Sequence, residues 1–434
     1  MLSRGLIDVG ADREAAGNGS PDEGVRAAFA RDLLAALTAR PRSISPKYFY
    51  DARGSELFDR ICELPEYYPT RTELAILSRH AGEIAHQMGR CAEIVEFGAG
   101  SLRKVRLLLD AMDRPARYLP IDISGEHLAR SAAALQRDYH GLDVQPVVAD
   151  YTQRLLLPAA LPGAGRRVGF FPGSTIGNFA PQEALHFLQV AAQVLRGGAL
   201  LLGADLIKDP AILHAAYNDA QGVTAAFNLN LLARANRELG TRFALDQFAH
   251  SAFYNAPGQR IEMHLVSRRR QHIAWDGRSF ELDEGETLHT ENSHKFTIEG
   301  LRALALRAGF RPGPVWTDED RLFSVHWLHA PDAQGTQERE RMKAIWNGAV
   351  IAQSDDTVVM DGNHYFPADS LRREYVTFSN HRTSNPVNGE ASYYSLLVNG
   401  EMLTDAAWYY PDPKSEAQML KDRVAFGNGV KVGP

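Results

Sequence analysis

Between residues 90 and 210 five short apolar runs alternate with stretches of helical periodicity. The runs are Glu93-Phe97, Tyr118-Ile123, Val144-Ala149, Val168-Phe171 and Ala199-Leu206. Between them Val105, Leu108, Leu109 and Met112 recur at helical spacing, and Leu185, Leu188, Ala192 and Leu195 share one face. This alternation predicts an α/β fold, a doubly wound Rossmann-like sheet. The first run ends in Glu96-Phe97-Gly98-Ala99-Gly100-Ser101 and flows into a helical pattern. Glycines at that junction let the backbone turn sharply and approach a ligand at the helix N-terminus.

After a long interruption, Gly309-Val315 and Arg321-Leu328 read as two further strands closing one sheet edge as an antiparallel hairpin. The interruption, roughly 210–300, is too long for a loop. It holds a long helical pattern over Ala211-Leu239, then β-like runs around Arg260-Ser267 and Ile273. The expected organisation is a flexible tail over 1–24, a helical segment over 25–90 belonging to a second lobe, a nucleotide-type domain over 91–209 and 296–329, and an inserted substrate lobe over 210–295. Thr70-Arg71-Thr72-Glu73 reads as a capping box opening a helix with Leu74, Leu77 and Ile84 on one face. Ala330-Thr336 reads as a linker, Glu338-Trp346 as a short helix, and 348–434 as a small β-rich domain with hairpin turns at Asp361-Gly362 and Asn399-Gly400.

Bulk properties narrow the class. The net charge of −6 argues against a mainly nucleic-acid-binding chain. Cys62 and Cys91 are too few for a disulfide framework or a cysteine-rich zinc site, which favours a reducing compartment. The N-terminal stretch lacks the apolar core of a signal peptide, and no apolar run is long enough to span a bilayer. The expectation is a cytoplasmic protein with no membrane or nucleic-acid partner. Its oligomeric state is left open, and a monomer is compatible with the sequence.

A lone Gly-x-Gly is equally well a tight turn with no ligand. Asp122 at the end of the second run, Asp150 followed by Tyr151 at the end of the third, and Gly173-Ser174-Thr175 after the fourth add weight. Polar residues at successive carboxyl ends fall where open α/β sheets bind ligands. A dinucleotide fingerprint requires a third glycine where this chain has Arg103, and no Walker A pattern is present. Gly98 and Gly100, with acids after strands two and three, suit S-adenosylmethionine, which has a ribose, an adenine and an amino-acid end but no phosphate. Lys104 or Arg103 is placed to support its carboxylate, the alternative being a solvated helix face.

Several separated motifs carry a family resemblance. They are Pro46-Lys47-Tyr48-Phe49-Tyr50-Asp51, Gly54-Ser55-Glu56-Leu57-Phe58-Asp59, Leu64-Pro65-Glu66-Tyr67-Tyr68-Pro69-Thr70-Arg71-Thr72-Glu73, Gly173-Ser174-Thr175-Ile176-Gly177-Asn178 and Gly203-Ala204-Asp205-Leu206-Ile207-Lys208-Asp209. Together they resemble the histidine-specific Nα-methyltransferases that make trimethylhistidine (hercynine) for ergothioneine biosynthesis, over about residues 25–328. The resemblance implies that Tyr50, Gly98, Lys104, Asp122, Asp150, Tyr151, Ser174 and Thr175 hold or adjoin S-adenosylmethionine. It implies that Tyr67, Asn178, Tyr217, Met263, Glu291 and Ser293 line the amino-acid pocket. In that reading Asn178 and Tyr217 hold the substrate carboxylate, Glu291 and Ser293 read the imidazole, and Tyr50 orients the amine or acts as its base, with Asn178 also in reach.

Glu291 and Ser293 are two apart, so on a strand they face one side. A carboxylate and a hydroxyl so placed can distinguish imidazole from phenyl or indole. His289 and His294 flank them, and the sequence offers no further ligand cluster, so a metal is not expected. The competing readings are an Nα-methyltransferase for tryptophan or a thiolated histidine, and a non-catalytic cofactor-binding scaffold. Residues 350–434 resemble a widespread small β domain of unknown function through Tyr365-Phe366-Pro367, Ala391-Ser392-Tyr393-Tyr394, Ala407-Trp408-Tyr409-Tyr410-Pro411 and Asp422-Arg423-Val424-Ala425-Phe426. Its usual T-x-C-P-x-K-G motif reads Thr383-Ser384-Asn385-Pro386-Val387-Asn388-Gly389 here, with Asn385 and Asn388 where that family has Cys and Lys.

Overall fold

A computed structural model describes residues 7–8, 21–100, 102–123, 125–153, 155–331, 342–354, 356–427 and 429–433. The chain divides into two compact units, 1–333 and 334–434.

The first unit is built on a mixed sheet whose strands lie in the order Ile7–Asp8, Val147–Val148, Arg117–Asp122, Glu93–Phe97, Arg167–Phe171, Ala199–Asp205, Phe323–His329, Arg311–Thr317. All pairs are parallel up to Ala199–Asp205, and the last two strands form the antiparallel hairpin at one edge. The central strands read as continuous apolar runs because both faces are covered. Val95, Phe97, Leu119, Ile121 and Leu202 pack against Phe187, Leu188 and Leu301 of the helices Pro181–Val194 and Ile298–Arg307. Their neighbours Ile94, Tyr118, Val168 and Leu201 point the other way, onto Ile76, Leu77, Ile84 and Met88 of the helix Tyr68–Met88 and Val105 and Leu108 of Arg103–Ala111.

The lobe has its own core. Phe29, Leu33, Phe49, Leu57 and Ile61 from before the sheet meet Leu213, Phe227, Leu231, Ile261, Met263, Leu265 and Leu288 from the insertion. The long helical pattern is two helices, Pro210–Tyr217 and Val223–Leu239. Four strands follow the order Arg42–Ser43, Thr287–His294, Arg260–Ser267, Phe248–Asn255. A β-bulge interrupts the central pair: Leu265 faces Leu288 and His264 faces His289, but Met263 faces Glu291, leaving Thr290 as the extra residue.

Four sequence expectations need correction. The stretch 1–24 is not wholly a flexible tail, since Ile7–Asp8 pairs with Val147–Val148 and a helix begins at Pro21. The segment 25–90 does not belong to the lobe throughout, since the helix Tyr68–Met88 covers the sheet. That helix starts at Tyr68 with no side-chain cap, so Thr70 to Glu73 is not its capping box; Pro69 at the first turn supplies the start. Met342–Trp346 is a strand paired with Ala349–Ser354, not part of a short helix, and 332–341 lies outside the described residues.

The second unit is β-rich. Asn363–Pro367, Arg423–Phe426, Glu401–Tyr409, Gly389–Val398 and Val376–Asn385 run side by side in one sheet. Asp361-Gly362 and Asn399-Gly400 both sit at positive φ, as two-residue hairpin turns require. Among the described residues no helix is long and apolar enough to cross a membrane.

Candidate active site

The turn after the first central strand is a ligand-facing turn in shape. Gly98 has φ +74°, and the Gly98 and Ala99 amides donate to the Ile121 carbonyl at 2.9 and 3.0 Å, tying the turn to the neighbouring strand. A Cβ on Gly98 would lie 3.3 Å from the Tyr151 hydroxyl. Tyr151 packs its ring on Phe97, Phe171 and Phe187, and its phenol is pushed up by burial, then by Asp122 and Asp150. Asp150 accepts from the Thr152 amide at 2.9 Å and its hydroxyl at 2.5 Å, which fixes the loop after the third strand.

A buried carboxylate organises the next loop. Glu73, 1 % exposed, accepts from the Gly173 amide and pairs with Lys104 Nζ at 2.6 Å. Gly173 is at φ +78° and Ser174 at φ 57°, ψ 26°. Thr175 Oγ1 donates to the Pro172 carbonyl at 2.9 Å. Glu96, behind the glycine turn, accepts from the Tyr118 hydroxyl, and burial pushes its carboxyl up to about 8.

These groups fit S-adenosylmethionine better than a phosphorylated cofactor. Lys104, the cation beside the turn, is already neutralised by Glu73, and Arg103 is exposed. The acids at the ends of the second and third strands are Asp122 and Asp150. Acids suit ribose hydroxyls and an adenine amine and repel phosphate.

The loop then runs directly into the lobe. Gly177, in the single turn Thr175–Asn178, lies against the strand Thr287–His294. A Cβ there would be 2.7 Å from the His294 carbonyl oxygen, and His294 Nδ1 donates to the Gly177 carbonyl at 2.9 Å. This contact carries Asn178 to the part of the lobe that holds Glu291 and Ser293.

Because of the bulge, Glu291 and Ser293 share a face with Met263 and Ile261, and all four are buried. Tyr217, the last residue of Pro210–Tyr217, donates its hydroxyl to Ser293 Oγ at 2.7 Å. Tyr67 packs edge-on to Tyr217 at 6.2 Å between centroids, and Phe58 contacts both Tyr67 and Tyr50. Tyr50 is also edge-on to Phe227. Its phenol and that of Tyr67 are raised well above the ordinary value, chiefly by burial and further by neighbours including Glu291. A phenol so raised stays protonated at neutral pH. Tyr50 can therefore accept a hydrogen bond from an amine but cannot act as its base. Glu291 itself is pushed up to about 7 by burial, with Lys295 pulling the other way.

Residues 29–330 match the family described as histidine-specific, S-adenosylmethionine-dependent methyltransferase. The chain belongs to that family. Residues 334–432 match a domain of unknown function, DUF427. The chain is 45% identical to the histidine N-alpha-methyltransferase of Mycolicibacterium smegmatis over 67% of its own length and 91% of that protein's. It is 42% identical to the enzyme of the same name from Mycobacterium tuberculosis, over 69% and 94%. A 4-dimethylallyltryptophan N-methyltransferase from Claviceps purpurea is 24% identical over 68% and 93%.

The methyltransferase carries functional-looking residues that pattern reading did not single out. Lys295 Nζ lies 2.7 Å from Asp205 Oδ2 and donates to Ser293 Oγ at 2.8 Å and to Tyr217 Oη at 3.2 Å. Asp205 also accepts from Tyr68 and Lys208, and its amide donates to Ser174 Oγ at 2.9 Å. Burial pushes the Asp205 carboxyl up, but Lys295 and Lys208 outweigh it and hold it below its ordinary value. Glu73 is the third missed group. Asp205 and Glu73 each lie in one of the family motifs, and Lys295 follows the Glu291 segment.

The expectation of no further ligand cluster also needs correction. Glu262, His264 and His289 bring one ligand atom each within 4.8 Å of one another. Glu262 and His264 alternate on one strand, and His289 opposes His264 on the next. The two rings stack 4.7 Å apart at 25°, so their in-plane lone pairs run side by side rather than to one point. Glu262 is further occupied by Arg260 and Asn255. The group reads as a stacked, charge-paired cluster on the opposite face from Glu291.

Proposed function

We propose that this methyltransferase adds methyl groups to the α-nitrogen of free L-histidine in successive rounds, ending at the trimethylated betaine. The observation that carries the reading is the buried pair Glu291 and Ser293, set opposite Met263 and tied by Lys295, Asp205 and Ser174 to the loop beside the cofactor turn.

S-adenosylmethionine, held by the Gly98–Gly100 turn, Asp122, Asp150 and the Gly173–Thr175 loop, supplies an electrophilic methyl on a good neutral leaving group. The protein's own contribution is then position and protonation state. Glu291 accepts one ring N–H and Ser293 faces the other ring nitrogen. An apolar side chain in their place would leave two buried polar groups unpaired, which is the basis of strong discrimination. Asn178 reaches the amino-acid end from the loop side. Tyr50 accepts from the α-amine while it has N–H groups, and its face together with that of Tyr67 accommodates the quaternary cation. The ammonium proton leaves to water, since the phenols here are too basic when ionised to hold a vacant site for it at neutral pH.

The test is incubation of the full chain with L-histidine and S-adenosylmethionine followed by mass spectrometry. The expected result is mass gain by up to three methyl groups, with the imidazole unmodified. A panel containing tryptophan and thiolated histidine runs beside it. Methylation of either in preference to histidine overturns the substrate, and no methylation of any amine overturns the activity.

A further inference from the structure

Lys295 is 3 % exposed, and its ammonium lies 5.0 Å from the centre of the Tyr217 ring. Its three protons all have partners: Asp205 Oδ2 at 2.7 Å, Ser293 Oγ at 2.8 Å and Tyr217 Oη at 3.2 Å. Tyr217, having accepted from Lys295, donates its own proton to Ser293 Oγ at 2.7 Å. The phenol is the more acidic hydroxyl of that pair and so the better donor. Ser293 Oγ thus receives two hydrogen bonds. A hydroxyl has two lone pairs and one proton, so both lone pairs are spent. Among the described residues the Ser293 proton finds no protein acceptor, and it is left to point into the pocket that Glu291 shares.

From this geometry we infer that Lys295 is a positioning residue that locks Ser293 as a hydrogen-bond donor and thereby selects the neutral imidazole ring. The inference rests on the reading that the substrate's imidazole lies between Glu291 and Ser293. Glu291 takes a ring N–H; a locked donor at Ser293 then demands an unprotonated nitrogen opposite. An imidazolium has a second N–H there and would face a donor. The charge balance acts in the same sense. Asp205 is shared by two lysines, Lys208 and Lys295, and the one excess positive charge of that buried group offsets the Glu291 carboxylate that would otherwise favour an imidazolium. The sequence reading of Ser293 as a hydroxyl beside a ring nitrogen is thereby given a direction, and the direction comes from a residue that does not touch the substrate.

The experiment compares wild type with Lys295→Met, Lys295→Arg, Ser293→Ala and the Ser293→Ala/Lys295→Met double variant, using L-histidine as probe. Lys295→Met should raise KM for histidine about tenfold, the size of one good hydrogen bond, with a much smaller change in kcat. Lys295→Arg should restore most of it. The double variant should be no worse than Ser293→Ala alone, because Lys295 acts through Ser293. As pH falls from 8 to 6, the ratio of Lys295→Met to wild-type kcat/KM should rise, because the freed hydroxyl can turn to accept from an imidazolium. Loss of the lysine's charge beside Glu291 would by itself make that ratio fall. A falling or flat ratio, additive losses, or an unchanged KM overturns the inference. Should Lys295→Met not fold, Tyr217→Phe removes the other donor to Ser293 and leaves the Asp205 pair intact; its ratio to wild type should rise in the same way, and a flat one overturns the inference. Wild-type protein that does not methylate histidine overturns the proposed substrate instead, whereas a wild type that methylates histidine beside an indifferent Lys295 overturns only this inference.

Discussion

Gly177 and His294 are in backbone contact: a Cβ on Gly177 would sit 2.7 Å from the His294 carbonyl oxygen and 3.2 Å from its nitrogen. The two residues belong to different parts of the first unit, one to the loop after the fourth central strand and the other to the end of the strand bearing Glu291. Gly177→Ala must push them apart, because the obstacle is backbone rather than a flexible side chain. The expected cost is about 1–3 kcal/mol of stability, typical of forced overpacking, and a fall in kcat/KM larger than the loss in S-adenosylmethionine affinity. Thermal unfolding and calorimetric titration of the cofactor check both, and an alanine variant with wild-type turnover contradicts the contact.

Glu291 carries a pH signature. Its carboxyl is raised by burial to about 7 in the folded chain, against about 4.3 when unfolded. The folded state therefore binds the extra proton between those values. The stability this proton contributes is fully present below about pH 4.3 and is lost as pH rises through about 7. Glu291→Gln cannot ionise, so its Tm relative to wild type should climb between about pH 5 and 8. Its histidine kcat/KM should drop roughly 10- to 100-fold, the scale of a hydrogen bond to a charged group. A pH-independent Tm difference would show that Glu291 is not held in a desolvated site.

Lys104 and Glu73 should behave as one unit. Lys104→Met leaves a carboxylate that is 1 % exposed with, among the described residues, the Gly173 amide as its remaining partner. Breaking one partner of such a pair costs about 3–5 kcal/mol, and cofactor affinity should fall with it if the Gly173–Thr175 loop holds the cofactor as proposed. The double variant Glu73→Gln/Lys104→Met removes the stranded charge and should recover most of the lost stability. Equal Tm in the single and double variants would mean the ion pair is not what supports the loop.

The second compact unit should be dispensable for turnover. The first unit has its own cores, and the Mycolicibacterium enzyme is 91% covered by the match to it. A chain ending at Ala333 is expected to methylate histidine with kcat/KM within about twofold of the full chain, a difference below ~0.5 kcal/mol. A tenfold loss measured in the same assay would give the β-rich unit a part in catalysis.

What could be read in advance follows the range of the interaction. The parallel sheet was legible because its strands are apolar on both faces, and the structure puts Asp122 and Asp150 at or just past the ends of two of those runs. Glu291 and Ser293 were legible as a same-face pair, and the family motifs supplied their meaning. Lys295 was not, because its role depends on Asp205, which lies in another domain segment and meets it only after the lobe folds back. Glu73 was misread for a related reason. Its spacing from Thr70 imitates a helix cap, and only the tertiary partner Gly173 reveals its use. The helix predicted over Glu338-Trp346 failed where local periodicity was outweighed by pairing of Met342–Trp346 with Ala349–Ser354 and Lys431–Gly433.

The bulge at Thr290 has an effect that no side chain in the pocket can have. Strand faces alternate with period two, so the extra residue reverses the parity of everything after it. Leu288 and Glu291 face the same interior only because Thr290 is uncounted in the ladder. A ladder that kept Thr290 but paired it regularly with Met263 would leave Glu291, Ser293 and their chemistry unchanged and turn both away from the amino acid, onto the side of His264 and His289. Which face Glu291 and Ser293 present is therefore recorded in which residue the ladder leaves uncounted, information that lies in strand pairing and not in any one side chain.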